Sequence, residues 1–96
     1  MRESRFQRKV IDEIKYMLPG AIVLKLDPTY LQGMADLLIL WGEHWAVLEC
    51  KRSATAHHQP NQDYYISKMN DMSFAAFIYP ENKEEVLHDL QRAFEA

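Results

Sequence analysis

The sequence is short of cysteine, glycine and proline, and each shortage excludes something. A single cysteine, Cys50, rules out an internal disulfide, and no Cys/His cluster has zinc-site spacing. Three glycines and four prolines across 96 residues leave no low-complexity linker, and no internal repeat is present. No apolar run approaches membrane length, and the N-terminus is a charged amphipathic stretch rather than a signal peptide. An intracellular, reducing compartment without a membrane is therefore expected. Excess positive charge is missing too. The formal charge is −3, against the basic balance usual in nucleic-acid-binding domains. The charge is uneven, however. Arg2, Arg5, Arg8 and Lys9 crowd the N-terminus and Lys51-Arg52 the middle, while Glu81, Glu84, Glu85, Asp89 and Glu95 make the C-terminal segment acidic.

What is present suits one compact domain over residues 1–96. Nearly half the residues, 48%, are hydrophobic, enough at this length for one core. Phe6, Val10, Ile14 and Met17 recur at helical spacing, predicting a helix over Glu3 to Leu18 that Pro19-Gly20 stops. Ala21 to Leu26 reads as a strand, and Asp27 to Gly33, with Pro28, as a loop. Asp36 to Leu40 and Trp45 to Lys51 read as the arms of a hairpin turning at Trp41-Gly42-Glu43-His44. The first arm is apolar on both faces, which predicts a central strand covered on two sides. A polar loop with His57 and His58 follows, then a helix from about Gln62 to Asn70, a strand from Ser73 to Tyr79, and a last helix from Glu81 to Phe94. The order α-β-β-β-α-β-α predicts an α/β fold with a mixed central sheet flanked by helices.

The hairpin carries the chemistry. If it folds symmetrically about Gly42-Glu43, Leu40 faces Trp45, Leu38 faces Val47, and Asp36 faces Glu49. Opposed side chains on one sheet face stand roughly 5 Å apart, so the two carboxylates repel unless something cationic lies between them. Lys51 shares that face by the period of two, and Cys50 points away into the core. Two carboxylates and an ammonium on one face suit metal-dependent hydrolysis of a phosphodiester. Taken singly, each residue has an ordinary explanation, Asp36 as a turn cap and Glu49 and Lys51 as solvated neighbours. Those explanations do not account for two like charges facing each other on apolar strands.

Asp36, twelve intervening residues and then Glu49-Cys50-Lys51 resemble the PD-(D/E)XK nuclease superfamily. Gly33-Met34-Ala35-Asp36, Val47-Leu48-Glu49-Cys50-Lys51 and Gln62 at a helix start resemble the VRR-NUC family and the related Holliday-junction resolvases. Ala35 stands where the family usually has proline, which shapes backbone and donates no ligand. The resemblance implies a restriction-endonuclease-like fold and a Mg²⁺-dependent DNA endonuclease, Mn²⁺ substituting. Asp36, Glu49, the Cys50 backbone carbonyl and Glu3 would hold the metal, Glu3 being preferred to Glu13 as the third acid. Lys51 would serve the attacking water and the transition state, with Gln62 beside the site. Arg5, Arg8, Lys9 and Arg52 would hold the phosphate backbone without reading sequence. Branched or flapped DNA is the implied substrate, and a homodimer the implied assembly. The alternative is a catalytically weak or inactive nucleic-acid-binding module on the same fold. His57 and His58 could touch phosphate but diverge too far for a metal pair. Tyr30, Tyr64 and Tyr65 could stack on bases or pack at an interface.

Overall fold

The structure is a computed structural model that describes residues 2–27 and 29–96. Pro28, expected in the loop before the hairpin, lies outside the described residues. The element order is α1 (Glu3–Met17), β1 (Ile22–Lys25), β2 (Leu37–Trp41), β3 (His44–Cys50), α2 (Gln62–Met72), β4 (Phe74–Ile78) and α3 (Lys83–Glu95). The expected order holds throughout. The boundaries differ by small amounts: the hairpin turn is tighter, α2 runs one turn-fraction further to Met72, and α3 begins at Lys83. Asn82 delays that last helix. Its side chain accepts a hydrogen bond from the Tyr79 amide and donates one to the Phe77 carbonyl, so the chain turns once more before becoming helical.

The four strands lie in the order β1-β2-β3-β4. The first three are antiparallel neighbours and β4 runs parallel to β3, giving a mixed sheet. In the hairpin, Leu40 pairs with Trp45 and Leu38 with Val47. Gly42 occupies the turn at φ +61°, a conformation that tight two-residue hairpins demand and glycine adopts without penalty.

One sheet face carries Leu37, Ile39, Ala46, Leu48 and Cys50, all fully buried with Phe6, Val10 and Ile14 of α1 and Val86, Leu87, Leu90 and Phe94 of α3. On the other face, Ala35, Val47 and Ala75 pack with Ile66 of α2, with Leu38, Trp45 and Phe77 partly buried around them. The covering is unequal. Leu38 and Leu40 of β2 are only half-buried, and Ile22 and Leu24 of β1 are exposed. The expectation that β2 is covered on both sides therefore holds for one face and only in part for the other, because the single helix α2 packs over the β3–β4 half. Among the described residues no helix is long and apolar enough to cross a membrane.

Candidate active site at the end of the central hairpin

Three chain segments meet where β2 begins and β3 ends. The first is the loop into β2, which Gly33 brings against the start of α2. A Cβ on Gly33 would lie 2.7 Å from the Asn61 Cβ and 2.8 Å from the Asn61 carbonyl carbon, and the residue sits at φ +91°. No other residue type fits there. Asn61 answers with its own left-handed conformation, φ 73°, immediately before Gln62 opens α2. This close approach sets Gln62 over the end of β3. The second segment is β3 itself, whose alternation sends Cys50 into the main core and Glu49 and Lys51 to the opposite face. The third is the N-terminus of α1, which brings Arg2 and Glu3 to the rim.

Glu49, Lys51 and Gln62 are all buried, at 5%, 5% and 7% exposure. Burying two charged groups and an amide is costly unless they satisfy one another. Here the amide does most of that work. Gln62 Nε2 donates to Glu49 Oε2 at 2.7 Å, and Lys51 Nζ donates to Gln62 Oε1 at 2.8 Å. Gln62 Oε1 also accepts the Gln59 amide, and Lys51 Nζ a second time donates, to the His57 carbonyl at 3.1 Å. The direct Lys51–Glu49 approach is longer, 3.7 Å. An ammonium has three donors. Two are committed to Gln62 and His57, and the third is not closed by Glu49 at that distance. Glu49 Oε1 is buried with no hydrogen-bond partner among the described residues.

Asp36 stands just ahead of β2, in line with the register that pairs Leu37 with Leu48. Its Oδ2 accepts the Cys50 amide at 2.9 Å, while its carbonyl accepts the Leu26 amide. Asp36 thus has a structural task that the sequence pattern did not disclose: it finishes the hairpin where ladder pairing stops. The electrostatics show two acids competing for one place. Burial, then the neighbouring Asp36 charge, pushes the Glu49 carboxyl up to about 7, and Glu3 adds to the rise while Lys51 opposes it. Burial likewise raises Asp36 above the usual range, against the Cys50 amide and Lys51. The Cys50 thiol is pushed far up by burial beside these acids, leaving it an inert core residue.

Glu49, Lys51 and Gln62 open onto a cleft of about 730 Å³ also lined by Arg2, Glu3, Arg52, Ala56, His57 and Gln59. The structure therefore brings Asp36, Glu49, Lys51, Gln62, Glu3 and Arg52 to one end of the sheet. It does not bring Arg5 and Arg8, which line a separate hollow, or Lys9, which is exposed on α1 outside both. Glu13, the other candidate for a third acid, is turned elsewhere: both its oxygens bind Lys83, at 2.6 and 2.8 Å. It is a clasp between α1 and α3. His58 stacks on Phe77 with ring centroids 4.1 Å apart and meets Asp63 at 2.8 Å, so it braces the start of α2. Tyr64 and Tyr65 pack edge to face, and Tyr30 is exposed. Arg2 is the rim residue that the sequence reading left out of the site, although it belongs to the same i, i+3 basic stripe as Arg5 and Arg8.

No family model matches the sequence, and no curated protein matches it. A solved structure titled a VRR_NUC domain superimposes with a TM-score of 0.72 at 18% identity, covering 90% of this chain and 94% of that one. The chain has the VRR_NUC fold. At that identity the likeness carries architecture alone. Within the VRR_NUC-like framework, the hairpin register, the parallel β4 and the position of α2 together account for the placing of Asp36, Glu49, Lys51 and Gln62.

Proposed function

We propose that residues 1–96 form a VRR-NUC-like nuclease domain, a Mg²⁺-dependent DNA endonuclease that selects its substrate by shape. The observation that carries this reading is the Asp36–Glu49 pair: one half-buried and one buried acid, both with raised proton affinity, Glu49 with an orphaned oxygen, beside a lysine held by a neutral amide. Such a donor set fits a divalent cation. A hard cation with oxygen ligands would relieve the repulsion and give Glu49 Oε1 a partner. Asp36, Glu49 and the Cys50 backbone carbonyl would hold it, with Glu3 at the rim of the cleft. When bound, Mg²⁺ supplies charge neutralisation at the scissile phosphate and lowers the pKa of a bound water.

The chain's own residues then have separable tasks. Gln62 fixes Lys51 and Glu49 at a constant separation, taking one hydrogen bond and giving the other. Lys51 offers its uncommitted N–H to the attacking water or to a phosphate oxygen, where negative charge grows as the phosphorus becomes five-coordinate. Arg52 and Arg2 hold the backbone at the cleft mouth, with Arg5, Arg8 and Lys9 further along α1. These contacts position without reading bases, so branched or flapped DNA is the substrate class and a homodimer the form suited to cutting two strands.

A second reading, a nucleic-acid-binding module with weak or no catalysis, draws on one specific observation. Among the described residues no three His, Cys, Asp or Glu side chains are gathered as a metal site. Cleavage assays on duplex, flap and four-way junction DNA with Mg²⁺ or Mn²⁺ separate the two. Metal-dependent cutting that favours the branched substrates supports the nuclease. Binding without cutting in either metal supports the module.

A further inference from the structure

A second hollow, of about 250 Å³, lies beside the cleft and is lined by Arg2, Ser4, Arg5, Arg8 and Lys25. Four of its five side chains are cations, and no carboxylate lines it. They come from different elements. Arg2, Arg5 and Arg8 recur every third residue, on and just before α1, and so share one face, whereas Lys25 ends the edge strand β1. None of the four makes an ion pair among the described residues, where the ion pairs involve Lys51, His58 and Lys83. In a chain of net charge −3 with 14 acidic residues, such a gathering is not a by-product of a basic surface. Four like charges around one hollow repel, and the fold draws no stability from them. Arg2 lines both this hollow and the cleft, so the two are neighbours.

We propose that this hollow is a phosphate subsite, receiving a backbone phosphate of the same DNA that occupies the cleft. Guanidinium groups present paired donors that match phosphate oxygens, Ser4 adds a hydroxyl, and the exposed lysine adds charge without direction. The subsite extends the grip of the protein along α1 and explains why the basic residues there stand apart from the reacting end. It rests on the nuclease reading for the identity of its ligand, and its test is independent of catalysis.

The test is binding of a fluorescent duplex of about 20 base pairs, by anisotropy, with Ca²⁺ in place of Mg²⁺. R8A/K25A removes one hollow cation from each of two elements. K15A/R92A removes two exposed cations located elsewhere, so the net charge changes equally. All four side chains are exposed, and melting curves verify that each variant stays folded. R8A/K25A should weaken binding by about tenfold and flatten the slope of log affinity against log salt by about one unit for a lost phosphate. K15A/R92A should change affinity by no more than about twofold. Equal losses in the two variants, or no loss in R8A/K25A, overturn the subsite. If wild-type protein binds in this pattern but never cuts in Mg²⁺ or Mn²⁺, the subsite stands and the nuclease reading falls.

Discussion

Lys83 reaches across 70 residues of sequence to place its ammonium 2.6 and 2.8 Å from the two oxygens of Glu13. Lys51 stops 3.7 Å from Glu49, only two residues away and far more deeply buried. The first pair sits between α1 and α3, partly open to solvent, and is closed as tightly as geometry permits. The second lies on the central strand, where an unclosed pair is most costly, and it stays open because Gln62 stands between its members. A fold shaped only for stability would have reversed the two, or replaced the buried group with apolar side chains. The contrast locates where electrostatic satisfaction has been withheld: at Glu49, with its orphaned oxygen and raised proton affinity, facing Asp36 across the hairpin.

The largest expected effect comes from removing the charge at the open pair while keeping its shape. E49Q should reduce cleavage by at least about a thousandfold, since charge held against the reacting phosphate is the main source of rate. In EDTA the same variant should melt no lower than wild type, because the repulsion with Asp36 is gone. A large loss of apo stability would make Glu49 a structural acid. K51A should lower turnover by about a hundredfold or more, with DNA affinity changed only a few-fold, as expected for a group acting mainly in the transition state. Comparable losses in both would recast Lys51 as a phosphate anchor.

The next effects separate structure from chemistry within the site. D36A should destabilise the protein by about 1–3 kcal/mol, because the buried Cys50 amide loses its acceptor. D36N, which keeps an oxygen in place, should recover most of that stability and none of the cleavage. The pH response has a definite sign. Glu49 rises from 4.5 to about 7 on folding, so between those values the native state binds more protons than the unfolded chain. Its contribution to stability is therefore greatest below pH 4.5 and is lost as pH climbs to about 7. Melting of the metal-free protein against pH should show this downward component, and E49Q should remove it. The smallest effect belongs to the closed pair: E13A or K83A should cost up to about 1 kcal/mol, given partial exposure, and leave cleavage untouched.

Much of this was legible in the chain because its signals are local. The hairpin register follows from a two-residue turn and the period of two, which is why Asp36, Glu49 and Lys51 were expected on one face. The element order followed from apolar periodicity and from Pro19-Gly20. What escaped were the contacts made over long distances in sequence. Nothing near Glu13 announces Lys83, nothing near Asp36 announces that its carboxylate caps the Cys50 amide, and the half-open face of β2 depends on how far α2 reaches. Gly33 could be seen as unusual, but its reason, the close passage of Asn61, exists only in three dimensions. Arg2 was visible as charge and not as a residue shared by two hollows.

The central claim is that the Asp36–Glu49 pair is a divalent-cation site, and thermal melting against Mg²⁺ concentration at about pH 7.5 tests it most directly. A ligand that binds only the folded state stabilises it by about 2.7 kcal/mol at a hundred times its Kd. Wild-type protein should melt progressively higher as Mg²⁺ is added, while E49Q and D36N should hardly respond. A wild-type curve that does not move with Mg²⁺ or Mn²⁺, or one that moves equally in E49Q, would contradict the account.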